Sequence, residues 1–230
     1  ELILGKEKMK ILSFHNNNNN NNNDISKNNY GWITKLKLFQ LYKEAQKTID
    51  LLVDVQGYQI LINGVFQGDP HPGNILKLKQ NNNNKLGLID YGQTKTMTEA
   101  ERLGIAKIIL ALGSQNNKNN KEEQIATAMK ELGFVTKHND TNILSKYATL
   151  FFDSDEEGKK VYKCPTPQAY FKLLNELDPL IEVPDIAVFV ARCGFLLRGM
   201  GTILNKQIKT SKPWSVYAKQ ALKDEKKESR

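Results

Sequence analysis

The sequence predicts a mainly α fold interrupted by one small β-hairpin. Apolar residues recur at helical spacing along most of the chain, in segments running from Lys35–Asn63 to Pro213–Leu222. Only between residues 75 and 89 does this give way to short alternating runs around an asparagine tract. A third observation sets the scale. With 230 residues and 40% hydrophobic content the chain can bury one core, and no second domain is visible.

Each element has its own warrant. Lys35–Asn63 carries the first helical pattern, with Gly57 as a candidate break, and delivers the chain to a glycine- and proline-rich loop. Ile75–Lys79 alternates apolar and polar side chains, and Lys85–Ile89 does so less cleanly. The four asparagines 81–84 between them read as an expanded hairpin turn. Thr98-Glu99-Ala100-Glu101 is a capping box, in which the Thr hydroxyl and the Glu carboxylate each satisfy a backbone N–H that the first helical turn leaves unpaired. It opens a helix through Leu112, and Gly113 is its natural stop. Further helices fit Lys121–Leu132, Asn142–Phe152, Pro167–Leu177, Asp185–Ile208 and Pro213–Leu222. The Arg198-Gly199-Met200-Gly201 run lies inside a helical pattern, so close helix packing is the reading for its glycines. The competing fold is an all-helical bundle with a decorative hairpin.

Composition excludes more than it assigns. Asparagine tracts at 16–23, 81–84 and 116–120 (with Lys118 inside the last) are polar and low in complexity, and read as expanded surface loops. The net charge of +8 comes largely from Lys35, Lys37, Lys43, Lys47 and a Lys-rich end, which solvated helix faces explain. No aromatic-plus-basic recognition motif accompanies it, so nucleic acid is not expected as a partner. An anionic membrane surface is the functional alternative. The longest apolar run, Ile186–Leu197, is cut by Arg192 and too short to span a bilayer. Cys164 and Cys193 lack metal-type spacing and are expected as reduced, unpaired thiols. Histidines at 15, 71 and 138 form no cluster or triad, and neither a Walker loop nor a dinucleotide fingerprint is present.

The chemistry concentrates in Gly68–Gln93, GDPHPGNILKLKQNNNNKLGLIDYGQ. Asp69, Asn74 and the triplet Asp90-Tyr91-Gly92 stand on either side of the hairpin. A hairpin brings its ends together, so Asn74 and Asp90 should lie side by side with fifteen residues between them. Phosphoryl transfer needs those parts in that order: a carboxylate near the attacking hydroxyl, then two oxygen ligands for the Mg²⁺ on the nucleotide phosphates. Asp-x-x-x-x-Asn matches the end of a kinase catalytic loop, and Asp90-Tyr91-Gly92 stands where kinases carry Asp-Phe-Gly. Asp69 and His71 are thus the candidate catalytic groups. Asn74 and Asp90 are the candidate metal ligands, and Leu76 and Gly92 join them on the nucleotide side. His71 can donate to the terminal phosphate or serve as a structural histidine. Leu76 can underlie an adenine ring or be an ordinary core leucine. The bland alternative for the whole stretch is a turn and a hairpin without chemistry.

GVFQGDPHPGNIL followed by LGLIDYGQT resembles the UbiB/aarF/ADCK family of atypical kinases, whose pattern is a DPHPGN loop and then an IDFGQ motif. Glu1–Gly5 resembles that family's hinge between lobes, and Ala191–Gly199 its C-terminal Leu-Arg-Gly helix. Two departures stand beside the proposed oxygens: Gln67-Gly68 where relatives often have His-Ala, and Tyr91 for phenylalanine. The resemblance implies a protein-kinase-like C-lobe over residues 1–222, with asparagine-rich insertions at 16–29, 81–84 and 116–120 and a charged tail at 223–230. It also implies ATP and Mg²⁺ as cofactors, and kinase or ATPase chemistry linked to coenzyme Q or another prenylquinone. Nucleotide, prenylquinone lipid or a membrane surface are the implied partners, in mitochondria or plastids. The family's N-terminal lobe has no counterpart in this sequence, so the expectation is that this chain alone binds nucleotide weakly or not at all. Two rivals remain. Aminoglycoside/choline-type phosphotransferases also use a Gly-Asp-x-His-x-x-Asn loop and an Ile-Asp pair, but usually follow the aspartate with an aromatic and an acid instead of Tyr91-Gly92-Gln93. A non-catalytic pseudokinase scaffold is the other.

Overall fold

The computed structural model describes residues 25–80, 83–114 and 118–228, and it is mainly helical, at 69% helix. The first helix, α1 (Ile25–Tyr58), turns Ile49, Leu52, Val53 and Gln56 into the interior. Gly57 does not break it. A Cβ there would lie 2.3 Å from the indole Cδ1 of Trp214, so the glycine makes room for a ring instead. The indole Nε1 donates to the Val53 carbonyl at 2.8 Å, which fixes the fully buried Trp214 against α1. A wide π-type turn, Gln59–Asn63, then buries Ile60 and Leu61 completely and ends at Gly64, whose φ of 66° is left-handed.

From Gly64 the chain enters β1 (Val65–Gln67), then a 3₁₀ turn (Pro72–Asn74), β2 (Ile75–Gln80), β3 (Asn83–Leu88) and β4 (Thr94–Thr96). Two antiparallel pairs nest here: β1 with β4 outside, β2 with β3 inside. Next come α2 (Glu99–Gly113), α3 (Lys118–Leu132), β5 (Val135–Thr136), α4 (Thr141–Phe152) and α5 (Glu156–Lys160). The chain closes with α6 (Pro167–Leu177), β6 (Leu180–Glu182), α7 (Asp185–Ile203) and α8 (Ser211–Glu228). Helix α2 sits between α3 and α8, and α4 packs on α3, α6 and α7. Phe134, Tyr147, Phe151, Phe152 and Phe171 form one aromatic cluster with ring centroids about 6 Å apart.

Helix ends follow the capping rules closely. Thr98 accepts from the Glu101 amide, and Glu101 Oε2 accepts from the Thr98 amide at 2.7 Å, completing the expected box. Asp140 and Thr166 cap α4 and α6. Helix α2 ends at Gly113 as expected, though Gly113 is not left-handed; Gly133, with φ 106°, is. Phe134 N donates to Met129 O and Gly133 N to Lys130 O, a Schellman closure of α3. At Gly113 a Cβ would stand 3.3 Å from Ser215 Cβ on α8, a tight approach between the two helices.

Several sequence boundaries shift. Ile25–Asn29 belongs to α1, so the insertion expected at 16–29 does not hold over those five residues; 1–24, with the first asparagine tract and the Glu1–Gly5 segment, lie outside the described residues. Asn83 and Asn84 continue β3, which shortens the expected turn, and residues 81–82 fall outside the described set. Asn119 and Asn120 are helical rather than looped. Helix α7 ends at Ile203, five residues early, and α8 runs to Glu228 through most of the expected tail. Helix α7, at 19 residues, is long and apolar enough to cross a membrane, so length does not exclude it. Ten of its residues are buried within the fold, as in the core helix of a folded domain. Gly201 meets the packing expectation, with Lys206 O 2.6 Å from a hypothetical Cβ, whereas Gly199 faces open space.

Candidate functional site

The site is an excursion of the chain, residues 68–93, whose ends are clamped together by β1 and β4. Val65 faces Thr96, Phe66 faces Lys95 and Gln67 faces Thr94. Just beyond that pairing Gly68 N donates to the Gln93 carbonyl at 2.9 Å. A Cβ on Gly68 would lie 2.8 Å from the same oxygen, so the closure itself calls for glycine at this point.

Inside the clamp, the β2–β3 ladder runs from Gln80↔Asn83 to Ile75↔Leu88. It gains one more rung where Ile89 N donates to the Asn74 carbonyl at 2.9 Å. Asn74 therefore stands across from Ile89, and Asp90 is the next residue. The Asn74 Nδ2 donates to the Asp69 carbonyl at 3.4 Å, which ties the amide to the loop. His71 N donates to the Asp69 carbonyl at 2.7 Å, and Asn74 N to the His71 carbonyl at 2.8 Å. The loop is thus a stack of tight turns, with Pro70 and Pro72 fixing φ where no donor is needed.

Asp90 has φ 61°, the left-handed region. Asp tolerates this better than most residues because its short side chain can bond its own backbone. That bond is present: Gly92 N donates to Asp90 Oδ1 at 3.2 Å. The buried Gln67 side chain meets the same turn from behind, its Nε2 donating to Ile89 O at 2.9 Å and Asp90 O at 2.8 Å. Gln67 is in turn anchored through its carbonyl, which accepts from Gln56 Nε2 at 2.9 Å and the Cys193 thiol at 3.5 Å. Burial pushes the Cys193 thiol up to about 12.

On the open side, Arg192 of α7 reaches the loop. Its Nη2 lies 3.3 Å from Asp69 Oδ2, and its Nη1 donates to Gln93 Oε1 at 3.0 Å. One guanidinium thus links the loop aspartate to the residue just past Asp-Tyr-Gly.

The sequence-predicted residues divide accordingly. The backbone sets Asn74 across from Ile89 and so next to Asp90, and Asp69 meets Asn74 through its main-chain carbonyl while its carboxylate faces Arg192. His71 is exposed, and its Nδ1 accepts from Gly73 N at 3.1 Å, capping the 3₁₀ turn. With Nδ1 accepting, the neutral tautomer carries its proton on Nε2. Leu76 is 38% exposed, opposite Gly87, and is not a core leucine. The core instead takes Ile75, Leu86 and Leu88, so the visible Leu76/Leu78 alternation marks the outer face of the hairpin. Gly92 contributes its amide to the Asp90 turn. Arg192 and Gln67 were not read as functional from sequence. Arg192 appeared only as a charge in an apolar run and Gln67 only as a departure from a motif.

Among the described residues no group of three His, Cys, Asp or Glu side chains could hold a metal by itself. Asn74 and Asp90 offer two oxygen donors on adjoining strand ends. Mg²⁺ commonly takes one or two protein oxygens and completes its shell with phosphates and water.

Residues 32–124 match the family model described as the ABC1 atypical kinase-like domain. The match covers less than half of the 230-residue chain and contains the whole of the 68–93 excursion. At a coarse level it supports the UbiB/ADCK-type likeness. It stops short of the Ala191–Gly199 helix, and its range excludes Glu1–Gly5, two segments that the sequence likeness had included. Comparison with curated proteins and with solved structures gives no match.

Proposed function

We propose that the 68–93 excursion is the phosphate and metal site of a kinase-like enzyme that transfers or hydrolyses the terminal phosphate of ATP. The observation that carries this reading is the extra ladder rung between Asn74 and Ile89, which sets Asn74 beside Asp90 at the open end of the hairpin. The donor set fits a small hard cation, since both side chains offer oxygen and neither is buried.

Asn74 and Asp90 would hold the ion, which when bound neutralises charge on the phosphates. Asp69, one turn away, orients the attacking hydroxyl or water and accepts its proton. His71 Nε2 has a hydrogen to offer a phosphate oxygen. Pro70 and Pro72 stiffen the loop that carries Asp69, His71 and Asn74, which reduces the ordering left to be done when nucleotide arrives. By likeness to the family, the reaction belongs to prenylquinone metabolism in mitochondria or plastids. The residues after Asp90, Tyr91-Gly92-Gln93, favour this family over the small-molecule phosphotransferases.

The test is Mg²⁺-dependent ATP binding and hydrolysis by the wild-type protein against Asp90→Asn. The reading expects loss of hydrolysis, by about a hundredfold or more on electrostatic grounds. Equal rates would leave a non-catalytic scaffold.

A further inference from the structure

From the geometry behind Asp90 we infer that Gln67 is a positioning residue, whose side-chain amide sets the backbone of the metal-ligating aspartate. The inference rests on the reading of Asp90 as a ligand and adds a residue to it. Successive carbonyls of an extended strand point in opposite directions. One amide group can take both Ile89 O and Asp90 O only if the chain leaves the extended region between them. Asp90, at φ 61°, does so. The two features require each other: the left-handed turn brings the second carbonyl round, and the amide NH₂ rewards it.

The orientation of the amide is determined by this environment. With the group flipped, Gln67 Oε1 would face two carbonyl oxygens. In the observed orientation Oε1 is buried with no hydrogen-bond partner among the described residues. A buried polar atom left unpaired is destabilising, so a glutamine here is a poor choice for stability alone. Its amide hydrogens are what the position uses. The anchors behind it are equally rigid. Gln56 is fully buried on α1 and Cys193 fully buried on α7, and both bind the Gln67 carbonyl. Two core helices therefore hold β1, β1 holds the Asp90 turn, and the turn aims the carboxylate. Gly92 N, on the carboxylate itself at 3.2 Å, completes the arrangement.

The experiment compares Mn²⁺ affinity of wild type with Gln67→Leu, Gln67→Asn and Gln67→His, together with their thermal midpoints. Leu fills the volume without a donor. Asn keeps the amide but withdraws it by one methylene. His restores a single ring N–H. Groups that orient a metal ligand typically carry about 10–100-fold in affinity. Leu and Asn are expected to weaken Mn²⁺ binding by that factor, and His by less, in an order that does not follow the midpoints. If Leu fails to fold, Asn against His decides the matter. Wild-type affinity in every folded variant, or losses that only track the midpoints, would overturn the positioning role while leaving the metal site standing. No Mn²⁺ binding by wild type, or none lost in Asp90→Asn, would overturn the metal site and the inference together.

Discussion

The Arg192 guanidinium stands 3.3 Å from the Asp69 carboxylate, joining the middle of α7 to a loop 123 residues earlier in the chain. The pair is partly solvated, with 44% of the Arg192 and 25% of the Asp69 side chain exposed. Exposed pairs of this kind contribute about 0–1 kcal/mol. Arg192→Ala should therefore change stability by no more than about 1 kcal/mol. It should nevertheless speed hydrogen exchange at the His71 and Asn74 amides, because the loop loses its tether to α7. Unchanged exchange at those amides would show that the contact holds nothing in place.

Six residues further along the same helix, Arg198 is a contrasting case. It is 7% exposed, its Nη2 donates to Leu150 O at 2.8 Å and its Nη1 to Asp153 O at 3.4 Å. A cation is thus buried against the C-terminal carbonyls of α4, where the helix dipole favours it. Burial lowers its pKa to about 10 even so. Arg198→Met should cost about 2–4 kcal/mol in urea denaturation, since two carbonyls lose a charged donor inside the protein. A cost below that of Arg192→Ala would contradict the capping role.

Gly57 offers a packing test. Adding one methyl at 2.3 Å from the Trp214 ring is overpacking, which costs about 1–3 kcal/mol or more. Gly57→Ala should lose that much and shift Trp214 fluorescence. In a Trp214→Leu background the same change should cost markedly less, because the two positions share one space. Additive losses would mean the glycine serves the helix backbone alone.

Alkaline pH should unfold this protein early, and the sign follows from the direction of each shift. Burial raises Cys193 from 9.0 to about 12, and a hydrogen bond to Asp54 leads the causes that raise Tyr217 from 10.0 to about 12. Burial also raises Tyr147 and Tyr170. Each group keeps its proton longer in the folded state. The contribution of Cys193 and Tyr217 is complete below the unfolded values near 9 to 10 and is lost as pH rises toward 12. Denaturation midpoints should fall over that window, and Cys193→Ala should flatten the first part of the fall. The thiol should also resist alkylation in native protein while Cys164, only partly buried, reacts. Equal labelling of both would contradict the burial.

What the sequence made legible were the features carried by local rules. The capping box at Thr98 and the bounds of Pro167–Leu177 follow from residues that act within one turn. The hairpin between Asn74 and Asp90 follows from alternation and turn composition. What it hid depends on partners far along the chain. Gly57 looks like a helix breaker until Trp214, 157 residues later, is seen to fill its place. Leu76 could have been an ordinary core leucine, yet the core takes Ile75, Leu86 and Leu88. The short pairs β1–β4 and β5–β6 have too few residues to show a period. At the site, Asp69, Asn74 and Asp90 were singled out by residue type and spacing. Gln67 and Arg192 were not, because an amide or a guanidinium gains meaning only from the carbonyl or carboxylate it meets.

The most direct measurement is a Mn²⁺ titration followed by line broadening of backbone amide signals in the wild-type chain and in Asp90→Asn. Broadening that begins at Asn74, Asp90 and Gly92, reaches Asp69 next, and disappears from all of them in Asp90→Asn is the predicted result. Broadening centred elsewhere, such as on the acidic start of α5 at Glu156–Glu157, or a pattern unchanged by Asp90→Asn, would contradict the account.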